Sequence, residues 1–158
     1  MFVYNVKVPV SKRAGALISV VSIVVALLCV VATISINNNY VPDMATCDQV
    51  GVYTLIAENP TGERSVLAQL GLNAKEESRV SEEIIIPQVF NKTYEEYNNL
   101  QKKVGLDLSR YAGKNVFKVT YELVDSKTNY AVILIYKNRV IGGHLTNGEY
   151  GDKILPLI

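Results

Sequence analysis

The first pattern along the chain is an apolar run from Ala14 to Ile36, 23 residues without a charged side chain. A helix of this length reaches about 34 Å at about 1.5 Å per residue, and a hydrocarbon core is about 30 Å thick. Lys12 and Arg13 precede the run, and uncharged polar residues follow it. Because basic flanking residues stay on the cytoplasmic side, the pattern predicts a transmembrane helix over 14–36, a cytoplasmic segment over 1–13, and an extracytoplasmic remainder.

The same run is a poor match to a cleaved signal peptide. Signal peptides have an apolar region of about 7–15 residues that ends in a small-x-small cleavage site. Ala32-Thr33-Ile34 does not fit such a site, and Cys29 follows Leu28 rather than the small residue of a lipoprotein site. We therefore expect an uncleaved, single-pass anchor.

The remaining residues show the alternation of a small mixed domain. Residues 37–49 are mainly polar and contain Pro42, which predicts a linker, and 50–158 are predicted to fold. Strands are predicted where β-branched and aromatic residues alternate or cluster, over 51–57, 79–87, 116–124, 130–136 and 139–145. Helices are predicted over about 60–70 and 91–104, and each is followed by a glycine.

The order of these elements predicts an α+β fold. Lys137-Asn138 predicts a tight hairpin turn between the last two strands. Three strands in a row at the end of the chain favour a mainly antiparallel sheet, and we expect a two-layer domain in which one face of that sheet packs on both helices.

Composition excludes one class of partner. From Asp43 onward the chain carries 13 basic and 15 acidic side chains, so it lacks the basic surplus of a nucleic-acid-binding protein. Cys29 and Cys47 are the two cysteines. Cys29 is expected inside the membrane and Cys47 outside it, which argues against a disulfide between them. Cys47 is interpreted as an unpaired thiol, with an intermolecular disulfide as the alternative.

A series of residues between 60 and 147 resembles the DUF4830 family, small bacterial proteins of unknown function. The residues that carry the resemblance are Pro87, Phe90, Tyr97-Asn98, Leu100-Gln101, Gly105, Asp107-Leu108-Ser109, Tyr111, Gly113-Lys114, Tyr121 and Gly142-Gly143. His144 departs from the pattern, which has an acidic residue after the two glycines. The resemblance implies a bacterial cell-envelope setting and no particular activity.

Five polar residues form the candidate site: Asn98, Gln101, Asp107, Ser109 and Lys114. They are interpreted either as the lining of a ligand groove or as braces that hold the loop around Asp107, and bracing is preferred because amides one helical turn apart can bond loop backbone. Gly142-Gly143 lacks the following helix of a phosphate-binding loop, and the two glycines predict either a need for backbone freedom or close packing against a helix.

No catalytic, cofactor-binding or metal-ligating residue is assigned from the sequence. His144 is the only histidine, and a metal site needs further converging ligands. The main hypothesis is a non-catalytic, membrane-tethered binding or accessory domain of the bacterial cell envelope, whose partners are the lipid bilayer and an envelope protein or wall component. One alternative is an extracytoplasmic hydrolase that uses Asp107, Ser109 and His144. Another is an accessory subunit that pairs through its transmembrane helix, where Ala14-Gly15-Ala16 permits close packing.

Overall fold

The computed structural model describes residues 12–124, 126–149 and 151–158, and within the first helix it describes the side chains of residues 19 and 21–33. The chain divides into two compact units, Met1–Tyr40 and Val41–Ile158. In the first, helix α1 covers Lys12–Asn39. Residues 1–11 of the predicted cytoplasmic segment lie outside the described residues, and for part of the predicted 14–36 span the backbone is described but the side chains are not.

The large apolar side chains of α1 between Val21 and Val31 are exposed, and the described polar side chains of this helix are those of Ser19, Ser22 and Thr33. Within the described part of the chain, no helix meets the length and apolarity required of a membrane span.

The second unit is a mixed α+β domain, as predicted. Its elements are β1 Met44–Cys47, β2 Gly51–Thr54, α2 Pro60–Gln69, β3 Asn73–Ala74, β4 Val80–Ile85, α3 Lys92–Lys102, β5 Asn115–Val124, β6 Tyr130–Tyr136 and β7 Arg139–Thr146. Single 3-10 turns cover Glu76–Ser78 and Leu108–Tyr111. Every strand and helix predicted from the sequence is present, and β1 corrects the interpretation of residues 37–49 as linker alone.

The main sheet is antiparallel throughout. Its order is β3-β5-β6-β7, and β4 also pairs with β5. β6 pairs with one side of β5, and two strands pair with the other side of β5. The short β3 pairs with the end of β5, at Leu123 and Val124, and the longer β4 pairs with residues 115–120. β1 and β2 form a separate hairpin, and the chain that follows β2 reaches β7, where the Val140 N–H donates to the Leu55 carbonyl at 2.8 Å.

The turn between β6 and β7 follows the sequence prediction. Lys137 and Asn138 have φ angles of 48° and 60°, the left-handed values that a two-residue hairpin of the favoured twist requires. This turn sets the register in which Tyr136 lies opposite Arg139.

The helices pack on opposite faces of the sheet, so the predicted two-layer arrangement is wrong. Neighbouring residues of a strand point to opposite faces, and Thr120 pairs with Val132, which pairs with His144. His144 contacts Tyr97 of α3, so the face that Thr120 shares with His144 is covered by α3. Tyr121, which follows Thr120 and points to the opposite face, bonds to Glu63 of α2. β6 is therefore covered on both faces, and this explains why its interior residues are all apolar.

Two hydrophobic clusters result from this arrangement. The cluster on the α2 side includes Val66, Leu67, Val119 and Ile133 together with residues of the β1–β2 hairpin. The cluster on the α3 side is smaller and includes Ile86, Leu108 and Leu134, with Tyr94 and Tyr97 packed against it.

Candidate functional site

Asn98 joins α3 to the 3-10 turn that follows it. Its Nδ2 donates to Asp107 Oδ1 at 2.8 Å, and its Oδ1 accepts the Leu108 N–H at 2.7 Å. The Ser109 N–H donates to the same Asp107 oxygen at 2.9 Å. Burial raises the pKa of Asp107, but the hydrogen bonds from Asn98 and Ser109 outweigh it, so that the pKa lies below its usual value. The buried Asn98 thus holds an ionised Asp107 in place at the start of the turn.

Gln101 closes the edge of β7. Its side chain is fully buried, and its Oε1 accepts the Gly143 N–H at 2.7 Å. A Cβ on Gly142 would lie 3.2 Å from that same oxygen and 2.8 Å from Leu108 Cδ2. The close packing against a helix predicted for these glycines is therefore confirmed at Gly142, whereas a Cβ on Gly143 would meet the Val132 carbonyl oxygen and Leu157 rather than a helix.

An open groove of about 580 Å³ lies beside these braces, and we call it the α3 groove. Asn98 and Ser109 line it, whereas Gln101, Asp107 and Lys114 are not part of its lining. Val89 and Phe90 add apolar surface, and Val89 is 82% exposed. Its charged lining residues are Glu95 and Lys102, so the groove presents both signs of charge around an apolar patch.

His144 lies apart from the other residues named in the hydrolase hypothesis. Its Nδ1 is 2.9 Å from the Tyr97 hydroxyl, and the rings of the two residues meet edge to face. Burial and the nearby Lys118 lower the pKa of His144 to about 4, so the imidazole is neutral at physiological pH. Among the described residues, Tyr97 is its hydrogen-bonding partner, and neither Asp107 nor Ser109 bonds to it.

The sequence analysis did not predict a partly buried ion pair, Glu63–Arg79, on the other face of the sheet. Arg79 Nε and Nη2 donate to the two carboxylate oxygens of Glu63, each at 2.8 Å. The Tyr121 hydroxyl donates to Glu63 Oε2 at 2.6 Å. Burial raises the pKa of Glu63, but the bonds from Arg79 and Tyr121 outweigh it and hold the pKa below its usual value. The sequence did carry a signal, because Glu63 falls three and four residues before Val66 and Leu67, on the apolar face of α2.

A second groove, of about 400 Å³, lies over this ion pair, and we call it the Arg79 groove. Glu63 and Arg79 line it, together with Ser81 of β4 and the exposed Phe117 of β5. The Arg79 side chain is 32% exposed, so a cationic surface remains accessible there although its carboxylate partner is buried.

The described residues offer no cluster of three or more histidine, cysteine or acidic side chains able to hold a metal ion. Cys47 is a free thiol buried in the core of the domain. Because it is buried, an intermolecular disulfide through Cys47 would require the β1–β2 hairpin to open.

A family model described as a domain of unknown function (DUF4830) matches residues 68–145. Neither a curated protein nor a solved structure matches the chain. The matched segment runs from the end of α2 into β7, and it contains all five residues of the candidate site. Glu63 precedes it, so the buried ion pair joins a residue outside the matched segment to Arg79 within it.

Proposed function

We propose that this chain, whose residues 68–145 belong to the DUF4830 family of unknown function, is a non-catalytic binding or accessory domain, tethered to a bacterial membrane on its extracytoplasmic side. Its partners are the bilayer and an envelope protein or wall component.

The uncharged run Ala14–Ile36 supports the tether. It lies within one continuous helix, α1, and its large apolar side chains from Val21 to Val31 are exposed. A contiguous apolar surface of this kind favours burial in lipid or against another apolar surface. Lys12 and Arg13 support a cytoplasmic N-terminus.

The α3 groove is the observation that carries the binding role. It combines the exposed Val89 with the aromatic Phe90 and with polar groups at Asn98 and Ser109. Ligand sites commonly pair an apolar lining with a few placed polar groups. The polar residues behind the groove, Gln101 and Asp107, are engaged in internal hydrogen bonds, which favours a rigid, preformed binding surface.

The orientation is tested with a new cysteine, since the buried Cys47 does not report on exposure. In Glu77→Cys the thiol lies on an exposed 3-10 turn, and we expect a membrane-impermeant thiol reagent to label it on intact cells. The unmodified chain is the control and should remain unlabelled. Labelling that requires permeabilised cells, or release of the chain by alkaline carbonate, would contradict the proposed tether and orientation.

The binding role is tested by photocrosslinking in cells. A photoreactive phenylalanine analogue replaces Val89 in the α3 groove, and the control carries it at the exposed Val52 of β2. We expect a discrete crosslinked product from position 89 that is absent from position 52. Equal products from both positions, or none from position 89, would count against the α3 groove as the binding surface.

A further inference from the structure

The main sheet has two edges, and the fold covers only one of them. Along β7 the outward N–H groups are paired: Val140 donates to Leu55, Gly143 to the Gln101 side chain, and Leu145 to Leu155. β4 pairs with β5 on one side, and no described residue pairs with its other side. An uncovered strand edge is a template for an added strand.

We propose that the outer edge of β4 binds an extended polypeptide segment that carries a basic residue opposite Glu83, as an added strand of the sheet. This partner and this mode of binding go beyond the proposed function, and they do not depend on the tether.

Alternation along β4 fixes which backbone groups face outward. The Ile86 N–H donates to the Lys114 carbonyl at 3.0 Å, so residues at even positions direct their hydrogen bonds towards β5. Antiparallel strands alternate in this respect, and Ser81, Glu83 and Ile85 therefore direct theirs away from the sheet. All three residues are exposed, so a partner backbone has access to them.

The side chains along this edge select a basic partner. Glu82 is bonded to Lys118 at 2.7 Å, whereas Glu83 makes no ion pair among the described residues and lies opposite Phe117. Ile85 is 66% exposed on the same face as Glu83. Opposite charges and apolar pairs stabilise adjacent strands. The complementary strand thus has a lysine or arginine opposite Glu83 and an apolar residue opposite Ile85.

The same charges argue against a second copy of this chain as the occupant. Two β4 strands related by a two-fold axis pair in antiparallel fashion. In an antiparallel pair an outward-facing residue lies opposite another outward-facing residue, so the registers with the greatest overlap pair five residues and place Glu83 opposite Glu83, or Glu82 opposite Glu82. Like charges directly opposite each other destabilise a strand pair, so the sequence of β4 disfavours self-pairing.

The ends of β4 offer sites for side chains of the bound segment. Ser81, near the start of the strand, lines the Arg79 groove. Val89 and Phe90, shortly after its end, line the α3 groove. A segment that follows β4 thus runs from the region of one groove towards the other.

The test uses the full chain in detergent micelles and two synthetic peptides. Both alternate valine and threonine over about eight residues and differ only in a central lysine or glutamate. We expect the lysine peptide to bind about threefold to tenfold more tightly than the glutamate peptide in a fluorescence anisotropy titration. Glu83→Lys should reverse this preference. Glu96→Lys on α3 makes the same charge change at another exposed site, and it should leave the preference as it is.

A second variant tests the backbone pairing. Ser81→Pro removes an outward N–H and keeps the ladder with β5, which is the position where an edge strand tolerates proline. We expect it to retain its thermal unfolding midpoint and to lose binding of the lysine peptide. An unchanged preference in Glu83→Lys, or undiminished binding by a folded Ser81→Pro, would overturn the proposal. A disulfide-linked dimer of Glu83→Cys, whose thiols face each other when two β4 strands pair with Glu83 opposite Glu83, would show instead that a second copy occupies the edge.

Discussion

The partly buried ion pair Glu63–Arg79 gives the sharpest test of how this domain is stabilised. Glu63→Gln keeps the size of the side chain and removes its charge, so the two bonds from Arg79 and the bond from Tyr121 lose their ionised acceptor. Breaking a fully buried pair costs about 3–5 kcal/mol. Because the Arg79 side chain is 32% exposed and water can solvate it, we expect a smaller loss of unfolding free energy, about 2 kcal/mol at pH 7.

The loss should depend on pH in a defined direction. The folded pKa of Glu63 lies below its usual value, so the folded state binds this proton less readily than the unfolded chain does. The stabilisation is therefore complete above the unfolded pKa of about 4.3, and it is lost as the pH falls through the lower folded pKa. We expect the difference between the original chain and Glu63→Gln to shrink as the pH falls below about 4.3.

The measurement is urea unfolding of the unit Val41–Ile158, followed by circular dichroism between pH 7 and pH 3. Glu122→Gln is the matched control, because it removes an exposed partner of Lys75, and an exposed pair contributes about 0–1 kcal/mol. Equal losses in the two variants at pH 7, or a loss in Glu63→Gln that does not change with pH, would refute this account of the ion pair.

Three further predictions concern β7 and the residues that contact it. Gln101→Leu leaves the Gly143 N–H buried without an acceptor and should cost about 1–3 kcal/mol in urea unfolding; an unchanged midpoint would contradict the role of Gln101 as a cover for the edge. Gly143→Ala places a Cβ 2.5 Å from the Val132 carbonyl and 2.7 Å from Leu157, and a calorimetric melt should show a loss of at least about 1–3 kcal/mol. His144 should titrate with a pKa of about 4 by NMR, so that lowering the pH below about 6.5 favours unfolding; titration near 6.5 would show that its ring is solvated.

The sequence was sufficient to predict the helices and the five longer strands of the domain in their order, because each has a local signal, but it did not predict the short strands β1 and β3. Pro60 begins α2, Gly105 follows α3, and Lys137-Asn138 forms the predicted turn. β1 was missed because four residues within a polar segment carry too short a pattern to distinguish a strand from a linker. The sequence did not predict that the helices pack on opposite faces of the sheet, because this depends on contacts between residues distant in the sequence. The wholly apolar interior of β6 is consistent with a strand that is covered on both faces.

The candidate site could be predicted as a group of residues but not as a surface. Asn98 and Asp107 are hydrogen-bonded, as the bracing interpretation expects. They are only nine residues apart, joined by the end of α3 and a short loop. Glu63 and Tyr121 are far apart in the sequence and meet only through the packing of α2 on the sheet. The pattern of α2 included Glu63 on its apolar face, but nothing local indicated which cation would neutralise it.

The residues that carry the family resemblance suggest where the function should be sought. Asn98 and Gln101 bond to backbone groups, and the absence of a side chain at Gly142 leaves space for the Gln101 side chain. Such contacts stabilise the packing of α3 on β7, so substitutions there alter binding indirectly, through the fold. The accessible groups, Val89 in the α3 groove and Glu83 on β4, lie outside this internal network. Differences in partner choice between chains of this architecture should therefore follow residues at those two surfaces, while the braces behind them determine whether the surfaces form at all.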